Sequence, residues 1–281
     1  ILASNIGGTA TIIGDPPNII ISSAADIDFV TFAANMAPIS VLILLVFLGL
    51  ARIMFRREVS RERASVAALQ DLDTSALITD RPLLSKAVVV LVGVLLGFLV
   101  HSALHLEPAT IAVTGATVLM IWGRCEPHEV LRDVEWATLA FFVGLFILVE
   151  AVVQVGIVEA IGLAAVRLTG GSLPLTSMLL LWLSALVSGL VDNIPYTATM
   201  VPIVASLGRA MRPEPLWWSL ALGACLGGNT TLVGASANLV VASLAERSGH
   251  PIGFAQFLRY GVSTTVMALT LSSLYIWLRY L

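Results

Sequence analysis

Two short segments hold the residues best able to bind an ion. One reads GGTATIIGDPPN, Gly7 to Asn18, and the other GGNTTLVGASAN, Gly227 to Asn238. Both fit G-G-x-x-T-φ-φ-G-x-x-x-N in one register without a gap. Gly7, Gly8, Thr11, Gly14 and Asn18 match Gly227, Gly228, Thr231, Gly234 and Asn238. Glycine pairs let backbones approach closely and free carbonyls or amides from the helical ladder. Thr9, Thr11, Asn18, Asn229, Thr230, Thr231, Ser236 and Asn238 add hydroxyl and amide ligands. Half-helix N-termini favour anions, and unwound carbonyls favour sodium or protons. The set suits a small ion, either an anion held by donors or a sodium held by oxygens. Close helix packing through small residues is the plainer reading of one glycine pair. Two matched copies favour a site.

Three acids lie inside apolar sequence. Asp15 precedes Pro16–Pro17, and Asp192 precedes Asn193 in SGLVDNIPYTATMVP. A carboxylate at membrane depth is costly and is a functional candidate by default. Each could also cap the half-helix that follows it. Glu150, in FFVGLFILVEAVVQ, is a proton-relay candidate or a buried acid bonded to Gln154 one turn later. His101 and His105 are spaced i, i+4 at a span end with no other metal ligand near in sequence, and read as interface histidines. Cys125 and Cys225 imply neither a disulfide framework nor a metal pair and read as packing residues.

These residues need a membrane scaffold to position them. Of 281 residues, 58% are hydrophobic and 12% charged, with mean hydropathy +0.95. A soluble domain carries roughly 25% charged residues. The net charge of −3 says little about partners. Nucleic acid is not expected as a partner, since no basic face with interleaved aromatics occurs. Phosphate-loop, serine-elbow and HExxH signatures are absent, so energy must come from an ion gradient or from a separate ATPase subunit.

A crossing needs roughly 20 apolar residues. Clean spans are read at 36–55, 86–104, 108–122, 136–162 and 260–280. Broken spans are read at 1–23 and 216–246. Residues 173–208 are apolar on both sides of Asp192, Asn193 and Pro195, and read as a re-entrant hairpin of two half-length helices. Backbone interrupted at membrane depth survives only where it is buried in protein or lines a cavity. Two such segments in corresponding positions of two halves mark a transporter's binding site. Counting crossings makes the second broken span run opposite to the first, so the repeats are inverted. DFVTF (Phe29, Phe32) and GFAQF (Phe254, Phe257) precede matching spans and read as short interfacial segments.

The division expected is 1–56 as the C-terminal part of a first repeat, 57–85 as a cytoplasmic loop, and 86–281 as a second repeat. The positive-inside rule places eleven Lys/Arg, including Arg52–Arg63 and Lys86, on one side. Arg167, Arg209, Arg212 and Arg279 lie on the other. The C-terminus then faces outward.

SNIGGTATIIGDPPNIII, EWATLAFFVGLFILVEA, SGLVDNIPYTATMVPIV and GGNTTLVGASANLVV resemble signatures of the ArsB/NhaD-type permeases. These belong to the ion transporter superfamily, and the branch nearest the melanosomal P protein fits best. The resemblance covers essentially the whole chain. It implies an all-α polytopic membrane protein of inverted repeats, each with a re-entrant hairpin and a broken helix. It also implies a homodimer and an elevator-like mechanism. A bacterial or archaeal plasma membrane is the expected location. Carried over by position, the ion site comprises Asp192, Asn193, Thr197 and Thr199 at the hairpin tip, with Asn5 to Asn18 and Gly227 to Asn238. The first repeat's hairpin is expected to precede Ile1. Members move arsenite, sodium against protons, or carboxylates. No cofactor is implied beyond sodium or a proton as coupling ion. Neither motif holds an arginine, which weighs against a di- or tricarboxylate. Two readings from other classes are an ion channel and an intramembrane hydrolase using Asp15 and Asp192 as a dyad.

Overall fold

A computed structural model describes residues 1–56, 80–134 and 136–281. The regular structure among them is helical, with thirteen α-helices and one 3-10 turn. The chain forms two compact units, Ile1–Phe47 with Ala140–Leu281, and Leu48–Leu139.

In the larger unit the first break is short and specific. Helix α1 (Leu2–Gly8) stops at Gly8, a 3-10 turn covers Ile12–Gly14, and α2 (Pro16–Ala25) restarts with proline in its first turn. Proline fits there because that N–H has no helical partner anyway. Asp26, left-handed at φ 53°, ends α2. Helix α3 (Phe29–Met54) is 26 residues long and unbroken despite Pro38. The hairpin is α9 (Leu173–Ser188) and α10 (Asn193–Leu207). At 16 and 15 residues and ~1.5 Å per residue, neither arm reaches the ~30 Å of a hydrocarbon core.

The second break separates α11 (Glu214–Gly227) from α12 (Ser236–Arg247). Helix α11 is the core of this unit, with every residue from Pro215 to Gly227 buried. Small residues let its neighbours approach. A Cβ on Gly223 would lie 2.5 Å from the Leu181 carbonyl, and one on Gly227 the same distance from Ala185 Cα. Helix α13 (Phe254–Tyr280) closes the unit.

Three expectations need correction. The DFVTF and GFAQF segments are not separate interfacial pieces: Phe29 and Phe254 are the first residues of α3 and α13. Phe29, Phe32 and Phe257 are buried, so packing holds these ends in helix. The span read at 136–162 is two helices, α7 (Trp136–Gln154) and α8 (Ile157–Leu168), bent by 67°. Gly156 sits between them at φ +77°, a conformation glycine adopts without steric cost. The polar stretch after residue 56 also ends earlier than 85. Helix α4 (Arg81–Leu104) starts at Arg81, where Asp80 accepts a hydrogen bond from the Leu83 N–H at 2.8 Å. Residues 57–79 lie outside the described residues.

The smaller unit pairs α4 with α5 (Pro108–Gly123), and α6 (Pro127–Arg132) follows. Gly97 meets Ile111 and Gly115 meets Val94, so side chains fill the space opposite each glycine. Lys86 donates to the Trp122 carbonyl at 2.9 Å. The His101 ring donates to the Leu106 carbonyl at 3.1 Å.

Helices α3, α4 and α13 are long and apolar enough to cross a membrane, as are α7 and α8 taken as one bent span. Their outward faces are apolar, as at Leu148 (67% exposed) and Leu278 (75% exposed). Soluble monomers rarely show contiguous apolar surface on this scale. The chain is an integral, multi-pass membrane protein.

Candidate functional site

The two motifs fold alike, bond for bond. Gly14 N–H donates to the Thr11 carbonyl and Gly234 N–H to the Thr231 carbonyl, each at 3.2 Å. Asn18 N–H bonds Asp15 O and Asn238 N–H bonds Ala235 O, each at 3.0 Å. Asp15 (φ −149°, ψ 134°) and Ala235 (φ −151°, ψ 141°) are matched extended residues ahead of α2 and α12. Asn18 donates to the carbonyls of Gly8 (3.3 Å) and Thr11 (2.9 Å). Asn238 donates to those of Gly228 (2.8 Å) and Thr231 (2.9 Å). Each asparagine therefore ties off the Gly8 or Gly228 carbonyl, left without a helical partner by the break, and adds a second bond to the Thr11 or Thr231 carbonyl of the turn. Gly8 and Gly14 press together, as do Gly228 and Gly234, leaving no room for a Cβ.

Those bonds fix the amide orientations. With both N–H groups directed at carbonyls, the Oδ1 atoms of Asn18 and Asn238 must face donors. Asn238 Oδ1 accepts from Asn5 Nδ2 at 2.8 Å, and Asn18 Oδ1 accepts from the Cys225 thiol at 3.1 Å. Asn5 also donates to Asn229 Oδ1 at 3.0 Å. All these side chains are buried. Cys225 is thus a hydrogen-bond donor to the first motif and not a mere packing residue.

The hairpin tip joins both motifs. Asn193 donates its backbone N–H to the Gly234 carbonyl at 3.2 Å. Thr231 Oγ1 donates to the Gly189 carbonyl at 2.6 Å. Asn193 Nδ2 lies 3.2 and 3.3 Å from the two oxygens of Asp15. Asp192 caps α10, accepting from the Ile194 N–H at 2.9 Å. Asp15 occupies the equivalent place before α2 but makes no side-chain capping bond; its carboxylate instead meets Asn193 of the hairpin and the Cys225 thiol of α11. No lysine or arginine occurs between Ile1 and Ala51 or between Leu168 and Gly208. Neither carboxylate has an ion-pair partner among the described residues. Two half-buried carboxylates and the Asn193 amide oxygen leave an excess of negative, oxygen-rich character that a cation would neutralise.

Other expected ligands are placed differently. The hydroxyls of Thr9, Thr197 and Thr199 donate to the carbonyls four residues back, Asn5, Asn193 and Pro195. Thr230 donates to Thr265 at 3.2 Å. Thr11 contributes its carbonyl. Ser236 is exposed on the first turn of α12. Gly7 is exposed with nothing within 4 Å of a Cβ, whereas its match Gly227 is pressed on Ala185. Glu150 accepts from Gln154 at 2.6 Å as expected, but it is exposed in this fold. It lines a groove of about 610 Å³ with Ile19, Ser23, Phe146 and Pro202. No hydrogen bond links Asp15 to Asp192 among the described residues, and no His/Cys/Asp/Glu cluster able to hold a metal occurs among them.

The family described as citrate transporter (CitMHS) matches residues 1–223. The Uncharacterized transporter Rv2685 of Mycobacterium tuberculosis is 47% identical over 284 residues, covering 100% of this chain and 66% of that protein. The 46 kDa membrane protein of Mycobacterium leprae is 44% identical over 285 residues, with the same coverage. The human P protein is 33% identical over 357 residues, covering 98% of this chain and 43% of that protein. The chain thus spans about two thirds of the mycobacterial relatives' length and less than half of the P protein's. The family's description and the names of the two mycobacterial relatives are those of transporters and a membrane protein, not of enzymes.

Proposed function

The chain belongs to the citrate transporter family, and we propose that it serves secondary active transport of an inorganic ion or small anion. Arsenite-like cargo or sodium/proton exchange fits the site best, coupled to an ion gradient. One observation carries this reading. Asp15, Asn193 and Asp192 meet where two broken helices and a hairpin tip join, with no cationic side chain in those segments. Interrupted helices at matched positions of two halves are the arrangement that holds substrate and coupling ions at a repeat interface.

In this reading the coupling ion is sodium or a proton, held by Asp15, Asp192 and the Asn193 oxygen. Asn5, Asn18, Asn229 and Asn238 keep the broken segments in register around it. The repeats are inverted in the membrane, and the protein works as a homodimer by an elevator-like movement. The C-terminus faces out of a bacterial or archaeal plasma membrane. Glu150, in the groove beside α2 and α10, is the alternative proton relay should the charge not lie on Asp15 and Asp192.

A second reading is a sodium-coupled di- or tricarboxylate symporter, favoured by the family's description. The absence of arginine from both motifs weighs against it, because a carboxylate substrate would lack a bidentate partner.

Flux through the purified full-length protein in proteoliposomes separates these readings, using sodium, protons, arsenite and dicarboxylates as cargo. Saturable, gradient-driven movement of an inorganic ion is expected. Dicarboxylate uptake alone would favour the symporter, and unsaturable flux would make it a channel.

A further inference from the structure

The register between the two motifs extends beyond their glycines and asparagines. The matched residues lie 220 apart, and the same offset sets Asn5 on Cys225, two residues before each glycine pair. These two residues make reciprocal bonds. Asn5, of the first segment, donates to Asn238 of the second, and Cys225, of the second, donates to Asn18 of the first. Each terminal asparagine is therefore held by the other segment's residue at this position. Each asparagine in turn closes its own break on two carbonyls. The two breaks are thus fastened to each other twice, once in each direction.

We infer that Cys225 is a positioning residue for transport: it stands where the repeat places an asparagine and, with Asn5, makes the two broken segments move as one body. This rests on the transport reading above. A space-filling role alone does not account for the contact. Asn18 is fully buried and both its N–H groups are spent, so its oxygen needs a donor, and the thiol supplies it at 3.1 Å. A thiol is a weaker donor than an amide, so the first break is the more loosely fastened. Motif ligands contributed from the two segments then keep their spacing only while both ties hold.

The test uses the full-length protein with three substitutions. Cys225→Ser keeps a donor, Cys225→Asn restores the residue of the matched position, and Cys225→Val removes the donor at similar size. The expected result is an apparent KM for the coupling ion raised about 10-fold in Cys225→Val, equivalent to about 1.4 kcal/mol, with kcat changed far less. Cys225→Ser should stay within about threefold of wild type, because its hydroxyl donates in the thiol's place. Wild-type KM in Cys225→Val, or equal losses in all three variants, overturns the inference. A melting-temperature cycle in detergent decides the contact independently of transport. Cys225→Val should lower the melting temperature more in the wild-type background than in Asn18→Ala, where only the thiol's contact with the Asp15 carboxylate is left to lose. Additive effects would overturn the pairing. If the wild type moves no ion, the transport reading fails, while the melting cycle still decides whether Cys225 holds Asn18.

Discussion

Asn193 donates its side-chain amide to both carboxylate oxygens of Asp15, 178 residues away in sequence, at 3.2 and 3.3 Å. Its backbone N–H is bonded to Gly234 at the same time. One residue at the hairpin tip therefore touches both broken segments.

Replacing Asn193 by alanine should weaken ion binding more than it weakens the fold. Its backbone bonds remain, and what is lost is an oxygen ligand and the amide that orients Asp15. A hydrogen bond to a charged group is worth roughly 1.5–3 kcal/mol, or about 10- to 150-fold in affinity. Ion-dependent flux of the full-length Asn193→Ala protein, titrated with sodium and with pH, measures this.

Asp192 combines charge with capping, and two substitutions separate the roles. Asparagine caps about as well as aspartate, whereas alanine costs about 1 kcal/mol. Asp192→Asn should therefore melt near wild type yet lose the sodium or pH dependence of flux. Asp192→Ala should lose both. Glu150→Gln keeps an oxygen for Gln154 and lies apart from the Asp15–Asn193 contact, so its flux should retain the wild-type ion dependence. If Glu150→Gln loses that dependence and Asp192→Asn keeps it, the charge belongs to Glu150.

Much of this was legible in the sequence because breaks are written in residues that cannot continue a helix in hydrocarbon. Gly8, Pro16–Pro17, Asp192 and Gly228 mark the interruptions closely. The bend at Gly156 was not legible. One glycine in an apolar run costs a helix only ~1 kcal/mol, and only the backbone reveals its left-handed conformation. The role of Cys225 was hidden for another reason. It lies two residues outside the repeated motif, and its match is an asparagine, so identity of residue type could not reveal the pairing. The start of α3 is capped locally by Asp28, which accepts from the Thr31 N–H at 2.9 Å, whereas that of α13 depends on burial of Phe257 against the rest of the fold, which no local pattern encodes.

Gly227→Ala should destabilise the protein although alanine is the better helix former by ~0.8–1.0 kcal/mol. The new Cβ would sit 2.5 Å from Ala185 Cα and 2.6 Å from its carbonyl oxygen, backbone atoms that no rotamer change moves away. Overpacking costs typically ~1–3 kcal/mol, so the clash wins. A lowered melting temperature in detergent is the expected observation, and a raised one would show that α9 and α11 can separate freely.

Thr231→Val tests the stitch between hairpin and second motif. The hydroxyl donates to Gly189 at 2.6 Å and accepts from the Val233 N–H at 3.2 Å. Two buried bonds at ~0.5–1.5 kcal/mol each predict a loss of about 1–3 kcal/mol, read from thermal unfolding of the full-length variant.

The most direct test of the account is gradient-driven uptake into proteoliposomes by wild-type and Asp15→Asn protein, measured across sodium concentration and pH. The substitution keeps the shape of the side chain facing Asn193 and removes its charge. Saturable wild-type uptake, with the sodium or pH dependence abolished in Asp15→Asn, is the predicted result. Uptake with unchanged ion dependence in Asp15→Asn would contradict an ion site built on Asp15, Asp192 and Asn193.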